Sequence, residues 1–290
     1  MPQRPQDRPK DRSKDRPKDR SRPGAKPGAT HEQVERRTRF ERARRESLQP
    51  SDDIAVLYGW HTVKAALENP SRRIRKLLVT ENAARRLAEE KVPAKPPPEV
   101  VRPDAIAARL PPDAVHQGIY AEADPLPAPP IEELSADGIV LVLDQITDPH
   151  NVGAIFRTAA AFAATAVVTT LRHSPEATGV LAKSASGALE HVPLITVQNL
   201  ARALAQLKER GFLVVGLDSS GGDELAELPL RAPLALVFGA EGKGLRPLTK
   251  DTSDHVARLD LPGTIQSLNV SNAAALALYI ATNRLKARSA

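Results

Sequence analysis

The chain has 290 residues, no cysteine, seven histidines and a formal net charge of +6. That length supplies one large or two modest domains with ample material for a core, and it excludes a disulfide framework or a thiolate zinc site. The histidines lack metal-ligand spacing, no apolar run approaches the ~18 residues of a membrane span, and the first residues lack the apolar stretch of a secretory signal, so a metal-free, cytoplasmic protein with no membrane segment is expected.

In chain order, the charge divides sharply. Residues 1–50 hold 16 Lys and Arg against 8 Asp and Glu, whereas residues 51–290 hold 25 against 27. Within the basic segment R-P-Q-D, R-P-K-D, R-S-K-D and R-P-K-D repeat from Arg4 to Asp19. Such a segment has nothing to bury and its prolines lack an N–H, so 1–50 reads as a disordered basic tail, with a charged helix possible over 31–48. It serves either as a solubilising leader or as a nonspecific RNA tether that releases counterions from phosphates. Asp7, Asp11, Asp15 and Asp19 weaken the tether without abolishing it.

Order begins near Ile54. A short strand, a turn at Gly59 and a helix to Glu68 are followed by a strand over 74–80, a helix over 81–90, a proline-rich break, and a strand over 118–123. These make a small α/β domain over residues 51–123, and 124–136 reads as a linker. His61 and His116 are expected to pack or hydrogen-bond within this domain. Arg72, Arg73, Arg75 and Lys76 form a basic cluster, read either as an RNA-facing patch or as a solvated turn.

Residues 137–290 alternate strand and helix. Strands are predicted at 139–143, 166–170, 194–197, 212–217, 234–238 and 255–261, and helices at 152–162, 178–185, 200–210 and 268–286. Short apolar strands between helices argue for a mainly parallel sheet buried on both faces, with ligands at the carboxyl ends of its strands. Three stretches put polar groups there: D-P-H-N-V-G-A-I-F-R-T-A (148–159), F-G-A-E-G-K-G-L (238–245) and S-L-N-V-S-N-A (267–273). The second begins like a phosphate loop, but Leu245 and Arg246 stand where Lys and Ser/Thr are required, and no G-x-G-x-x-G opens a helix after the first strand. What remains is a loop whose glycines, Gly239, Gly242 and Gly244, permit positive φ and close approach to a ligand, with one carboxylate, Glu241.

Together and in this order, N-x-G-x-x-x-R-T-A, G-x-E-G-x-G and S-L-N-V-S resemble the SpoU (TrmH-like) family of RNA ribose 2′-O-methyltransferases, most closely the bacterial subgroup acting on a guanosine of 23S ribosomal RNA. L-Y-G-W-H-T-V-K-A-A-L and D-A-V-H-Q-G-I-Y-A resemble the two ends of that subgroup's substrate-binding domain. The resemblance implies an α/β fold in which a mainly parallel sheet is tied into a trefoil knot of the SPOUT type. A small ribosomal-protein-like domain precedes it. It further implies S-adenosylmethionine as cofactor, RNA as partner and a homodimer with the site near the dimer interface. Asn151, Arg157, Glu241, Ser267 and Asn269 are its implied catalytic set, and Gly239, Leu259, Leu261 and Leu268 its implied cofactor pocket.

A sulfonium methyl group is already activated. The task left to the protein is to hold a weakly acidic 2′-hydroxyl in line and assist loss of its proton. The family role of Arg157 is proton acceptor, but a guanidinium stays protonated, so a grip on the adjoining phosphate and on developing alkoxide charge is preferred. Glu241 is expected to orient Arg157 or the loop, with a carboxylate base as the alternative. The chain departs from the family at L-D-L-P-G (259–263), where Asp260 replaces a proline, and at Asn272. Two other readings stay open: a transfer-RNA ribose methyltransferase, and a noncatalytic RNA-binding assembly factor on the same fold. The added small domain tilts the first toward ribosomal RNA, and retention of the five polar residues argues against the second.

Overall fold

The computed structural model describes residues 54–172, 179–265 and 267–289. The tail and helix expected within 1–50 lie outside the described residues.

The first sheet has the order β1-β4-β2-β3. It comprises β1 (Ala55–Tyr58), β2 (Ile74–Val79), β3 (Glu99–Val100) and β4 (Ile119–Ala123), with β4 antiparallel to both β1 and β2. Helices α1 (Trp60–Glu68) and α2 (Glu81–Glu89) bury Trp60, Val63, Ala66 and Leu87 against Leu57, Leu77 and Ile119 on one face. The Arg86 guanidinium lies 3.9 Å from the centre of the Trp60 ring system, a cation–π contact that closes this core toward solvent. Thr80 caps α2 by accepting the Ala83 N–H. A further helix, α3 (Pro103–Ala107), covers the opposite face by placing Ile106 on Leu78 and Tyr120. At five residues it is too short to show a period, which is why the sequence pattern did not reveal it.

The second sheet has seven strands in the order β7-β6-β5-β10-β8-β11-β9, and every pairing is parallel. Its strands are β5 (Ile139–Asp144), β6 (Ala166–Thr170), β7 (Leu194–Val197), β8 (Leu213–Leu217), β9 (Asp223–Glu224), β10 (Leu234–Gly239) and β11 (His255–Arg258). Alternate residues face opposite sides, so both faces must be covered. Helices α4 (Pro149–Ala161), α5 (Gly179–Ala185) and α8 (Val270–Ser289) pack on Leu141, Leu143, Val215, Leu236 and Phe238. On the other face α6 (Leu200–Glu209) packs on Val140, Val142, Val214 and Val237. A short helix, α7 (Pro247–Thr252), lies against α6.

Three sequence expectations change here. The strand expected over 255–261 ends at Arg258, because Arg258 turns to pair with Asp260 (2.7 Å) and to reach the Gly222 carbonyl (2.6 Å). The segment expected as linker is anchored at its end. Ile131 and Leu134 are buried beside α6, and the Arg210 guanidinium donates to the carbonyls of both. Finally, Arg72 is not part of an exposed patch. Its side chain is 5 % exposed and meets Glu190, itself 2 % exposed, at 2.5 Å. Asn69 donates to the same carboxylate at 2.8 Å, and Arg72 also donates to the Asp124 carbonyl at 2.8 Å. Arg75 and Arg73 are drawn to the Asp124 carboxylate, leaving little unpaired charge in the cluster.

The same contacts join the two sheets. Thr62 donates to the Ala182 carbonyl at 3.2 Å, and Gly179 and Gly187 let α5 and the following turn approach Tyr58 and Ala65. A Cβ at Gly187 would stand 2.7 Å from that of Ala65. Among the described residues, no helix is long and apolar enough to cross a membrane.

Candidate functional site

The site is built at the carboxyl ends of the central strands, where a parallel sheet leaves its ligand crevice. Asp144 ends β5 opposite Gly239 at the end of β10, and Asp218 follows β8. Asp144 is fully buried and accepts the Arg246 N–H (3.2 Å), the Arg246 Nε (2.7 Å) and the Thr249 hydroxyl (2.7 Å). Asp218 accepts the Leu245 N–H at 3.0 Å and the Ser220 N–H at 2.9 Å, and pairs with Lys250 at 2.9 Å. Burial opposes its charge, but bonds from the Ser220 hydroxyl, Leu245, the Ser220 amide and Lys250 outweigh that and hold the carboxyl well below the usual range. Two carboxylates on rigid strand ends therefore clamp both the backbone and the flank of the 240–246 loop.

That clamp sets the work of the glycines. Gly242 and Gly244 have φ of 74° and 65°, as expected, whereas Gly239 does not take a positive φ. Gly239 is needed because the loop folds back on it: a Cβ there would lie 2.2 Å from the Gly244 carbonyl carbon. The glycine pattern thus closes the loop on itself rather than opening it to a phosphate.

Helix α4 brings the first motif in. Asp148 caps it by accepting the His150 N–H at 3.0 Å, and Pro149 occupies its first turn. Gly153 allows α5 to press against α4, since a Cβ there would meet the Ser184 Cβ at 2.4 Å. Asn151 then faces the loop. The Glu241 Oε1 accepts the Asn151 amide (3.2 Å), the Asn269 amide (2.8 Å) and the Val270 N–H (3.1 Å), and the Asn269 amide also donates to the Asn151 Oδ1 at 2.9 Å. Asn269 in turn caps α8 by accepting the Ser271 N–H at 2.9 Å. One residue from each of the three motifs therefore meets in a single hydrogen-bonded cluster, with Glu241 as its acceptor.

The remaining expected residues fall around this cluster. Arg157 is exposed on α4, and Ser267 is exposed on the approach to α8. Neither has a hydrogen bond or ion pair among the described residues. Glu241 therefore orients the two asparagines and the start of α8, not Arg157. Leu259 and Leu261 line a cleft of about 360 Å³ with Ser219, Arg258, Asp260 and Pro262. Gly239 lies at the end of β10 and Leu268 beside Asn269, outside that lining. Asp260, at the departure from the family pattern, is exposed and paired with Arg258; Asn272 is exposed on α8. His61 is exposed, while His116 is partly buried and accepts the Gly118 N–H at 3.1 Å. Asp144, Asp218, Arg246 and Thr249 were not singled out from the sequence. Apart from Ser220 beside Asp218, their partners lie 27 to 105 residues away, where no local spacing signals them.

Comparison with known proteins agrees with this layout. The SpoU rRNA Methylase family model matches residues 138–279, and a model described as RNA 2′-O ribose methyltransferase substrate binding matches residues 56–129. The chain is similar to the 23S rRNA (guanosine-2′-O-)-methyltransferase RlmB of Pseudomonas putida, 36 % identical over 242 residues covering 80 % of this chain and 97 % of that protein. It is also similar to RlmB of Ralstonia nicotianae, 39 % identical over 238 residues covering 79 % and 95 %. Among solved structures it resembles the SpoU methyltransferase AviRb of Streptomyces viridochromogenes in complex with AdoMet, with a TM-score of 0.69 at 22 % identity, covering 85 % of this chain and 93 % of that one. At that identity the likeness shows the fold alone.

Proposed function

The chain belongs to the SpoU rRNA methylase family, and on that premise we propose that it transfers the methyl group of S-adenosylmethionine to the ribose 2′-hydroxyl of a guanosine in 23S ribosomal RNA. The observation that carries this reading is the convergence of Asn151, Glu241 and Asn269, one from each of the three motifs, in a single hydrogen-bonded cluster. Polar groups fixed on strand and helix ends are what a positioning-dependent group transfer needs.

The residues present fit the cofactor. The cleft lies within the range of about 300–1,000 Å³ typical of small-molecule sites. Leu259 and Leu261 offer apolar walls for a purine, the Asp260 carboxylate offers an acceptor for hydroxyls or an ammonium, and the Ser219 hydroxyl can donate or accept. When bound, S-adenosylmethionine supplies an electrophilic methyl group that needs no further activation. The chain's part is orientation. Glu241 holds the Asn151 and Asn269 amides in fixed positions, so their polar atoms meet the ribose without reorganising. Arg157, exposed and uncommitted among the described residues, places a fork of donors where a phosphate and a developing alkoxide can both be gripped.

The small domain over residues 51–123 is the proposed RNA reader, and cytoplasmic ribosome maturation the setting. A homodimer is supported by α8, which buries Val270, Ala274, Ala277, Leu278 and Ala281 on one face while leaving Leu276 and Tyr279 exposed. The deciding experiment incubates the purified protein with unmodified 23S ribosomal RNA and labelled S-adenosylmethionine and maps the ribose methylation. One methylated guanosine is the expected result; label in transfer RNA alone, or none, would overturn the reading.

A further inference from the structure

Lys183 sits on α5 at the junction of the two sheets. Its stem lies over the turn at Gly59, so closely that a Cβ on that glycine would stand 2.3 Å from the Lys183 Nζ. The ammonium donates to the Gln117 side-chain carbonyl at 3.1 Å, and the same oxygen accepts the Trp60 N–H at 2.9 Å. Gln117 holds a positive φ of 54°, a left-handed conformation that a non-glycine residue adopts at a cost, and this turns its amide toward the junction. Among the described residues Lys183 has no carboxylate partner. Burial lowers its pKa, with no neighbouring charge to offset the loss of water.

A partly buried ammonium held by one neutral amide is an unfinished site. Every other lysine or arginine at this junction is spent: Arg72 on Glu190, and Arg75 on Asp124. The residue after Lys183 leads straight to the catalytic cluster. The Ser184 hydroxyl lies 3.2 Å from the His150 Nδ1, and His150 precedes Asn151. Two side-chain contacts, Lys183 with Gln117 and Ser184 with His150, joined through chain neighbours, thus lead from the small domain toward the hydrogen-bonded cluster.

We propose that Lys183 binds a backbone phosphate of the substrate RNA and so sets the register between the segment read by the small domain and the ribose presented to Asn151 and Asn269. This rests on the reading that the protein methylates RNA. Gln117 is the positioning residue that aims the ammonium.

The test uses the full chain and unmodified 23S ribosomal RNA. Lys183→Met keeps the stem over Gly59 and removes the charge. RNA affinity should fall about tenfold or more, as for loss of a charge-assisted bond, and the slope of log K against log salt should shrink by about 0.7. S-adenosylmethionine binding should be unchanged, while KM for RNA should rise. Lys183→Arg should recover most of the slope, which a packing role would not require. A folded Lys183→Met protein with the wild-type salt slope would overturn the proposal. Should that variant not fold, lysine acetylation of the wild-type protein decides. RNA should protect Lys183 more than Lys208, which is paired with Asp254 on the far side of the second sheet; equal protection would overturn it. Both measurements report binding. A wild-type protein that binds but never methylates RNA would therefore sink the proposed function while leaving the role of Lys183 decided.

Discussion

The ion pair between Arg72 and Glu190 should dominate the stability of the junction. Both side chains are almost wholly buried, at 5 % and 2 % exposure, and the carboxylate also accepts the Asn69 amide at 2.8 Å. Glu190→Ala leaves the guanidinium and the Asn69 amide facing a cavity that water cannot fully hydrate. Removing one partner of such a pair costs about 3–5 kcal/mol, because a charge is left buried and uncompensated. The double change Arg72→Met with Glu190→Leu removes both charges at similar volume and should lie within about 1–2 kcal/mol of wild type. The non-additivity is the signature, since neither substitution reports the worth of the pair alone. Urea unfolding gives the measurement. Trp60 is the only tryptophan and is buried in the first sheet's core, so its emission follows that domain while far-ultraviolet circular dichroism follows the whole chain. In Glu190→Ala the Trp60 transition should move to lower urea, with the double variant restored. If Glu190→Ala costs under about 1 kcal/mol, the junction is open to water in solution and the reasoning is refuted.

The other expectations follow from the cluster and its clamps. Asn151→Ala, Asn269→Ala and Arg157→Ala should each abolish methyl transfer in single-turnover assays without unfolding the protein, and Arg157→Lys should also fail because a point charge cannot form the fork. A rate within threefold of wild type would remove that residue from the site. Calorimetry in chelator should show one S-adenosylmethionine per chain, since no three His, Asp or Glu side chains converge among the described residues; binding only after divalent ions are added would contradict this. Asp218→Asn should destabilise by about 1.5–3 kcal/mol at pH 7, the scale of hydrogen bonds to a charged group. Because the folded carboxyl is depressed below its unfolded value of about 3.9, its contribution is complete above that pH. The gap between wild type and variant should therefore persist at neutral pH and close as pH falls below about 4; a gap constant down to pH 2 would exclude the assigned ion. Light scattering at micromolar concentration should give twice the 31.2 kDa chain mass, and Tyr279→Glu should return the monomer if α8 is the dimer face.

Much of this architecture was legible because of how parallel sheets are covered. Strands buried on both faces read as nearly continuous apolar runs, and β6 falls on the residues expected from that rule while β5 and β10 each run one residue further. The elements that escaped are those whose reason is remote. Helix α7 has Leu248 exposed and is held instead by Thr249 on Asp144, 105 residues earlier. Strand β9 is two residues long and exists only as an edge to β11. The strand over 255–261 was drawn too long because L-D-L continues its alternation, although Arg258 leaves the sheet to pair with Asp260. Arg72 read as part of a basic surface cluster since its counterion, Glu190, stands 118 residues away.

The same limit explains Glu241. A carboxylate in a glycine loop announces a role but not a partner. Arg157 seemed the natural one by charge, yet geometry gives Glu241 two amides and a helix N-terminus instead. That exchange has a chemical consequence. The Glu241 Oε1 already accepts three N–H groups and is committed to holding them. Glu241 is the post on which Asn151 and Asn269 are hung. The guanidinium of Arg157, in contrast, is left without a carboxylate among the described residues, and its charge stays whole for RNA. We propose that the proton leaves to solvent or to a phosphate oxygen of the substrate, with Arg157 stabilising the oxygen left behind.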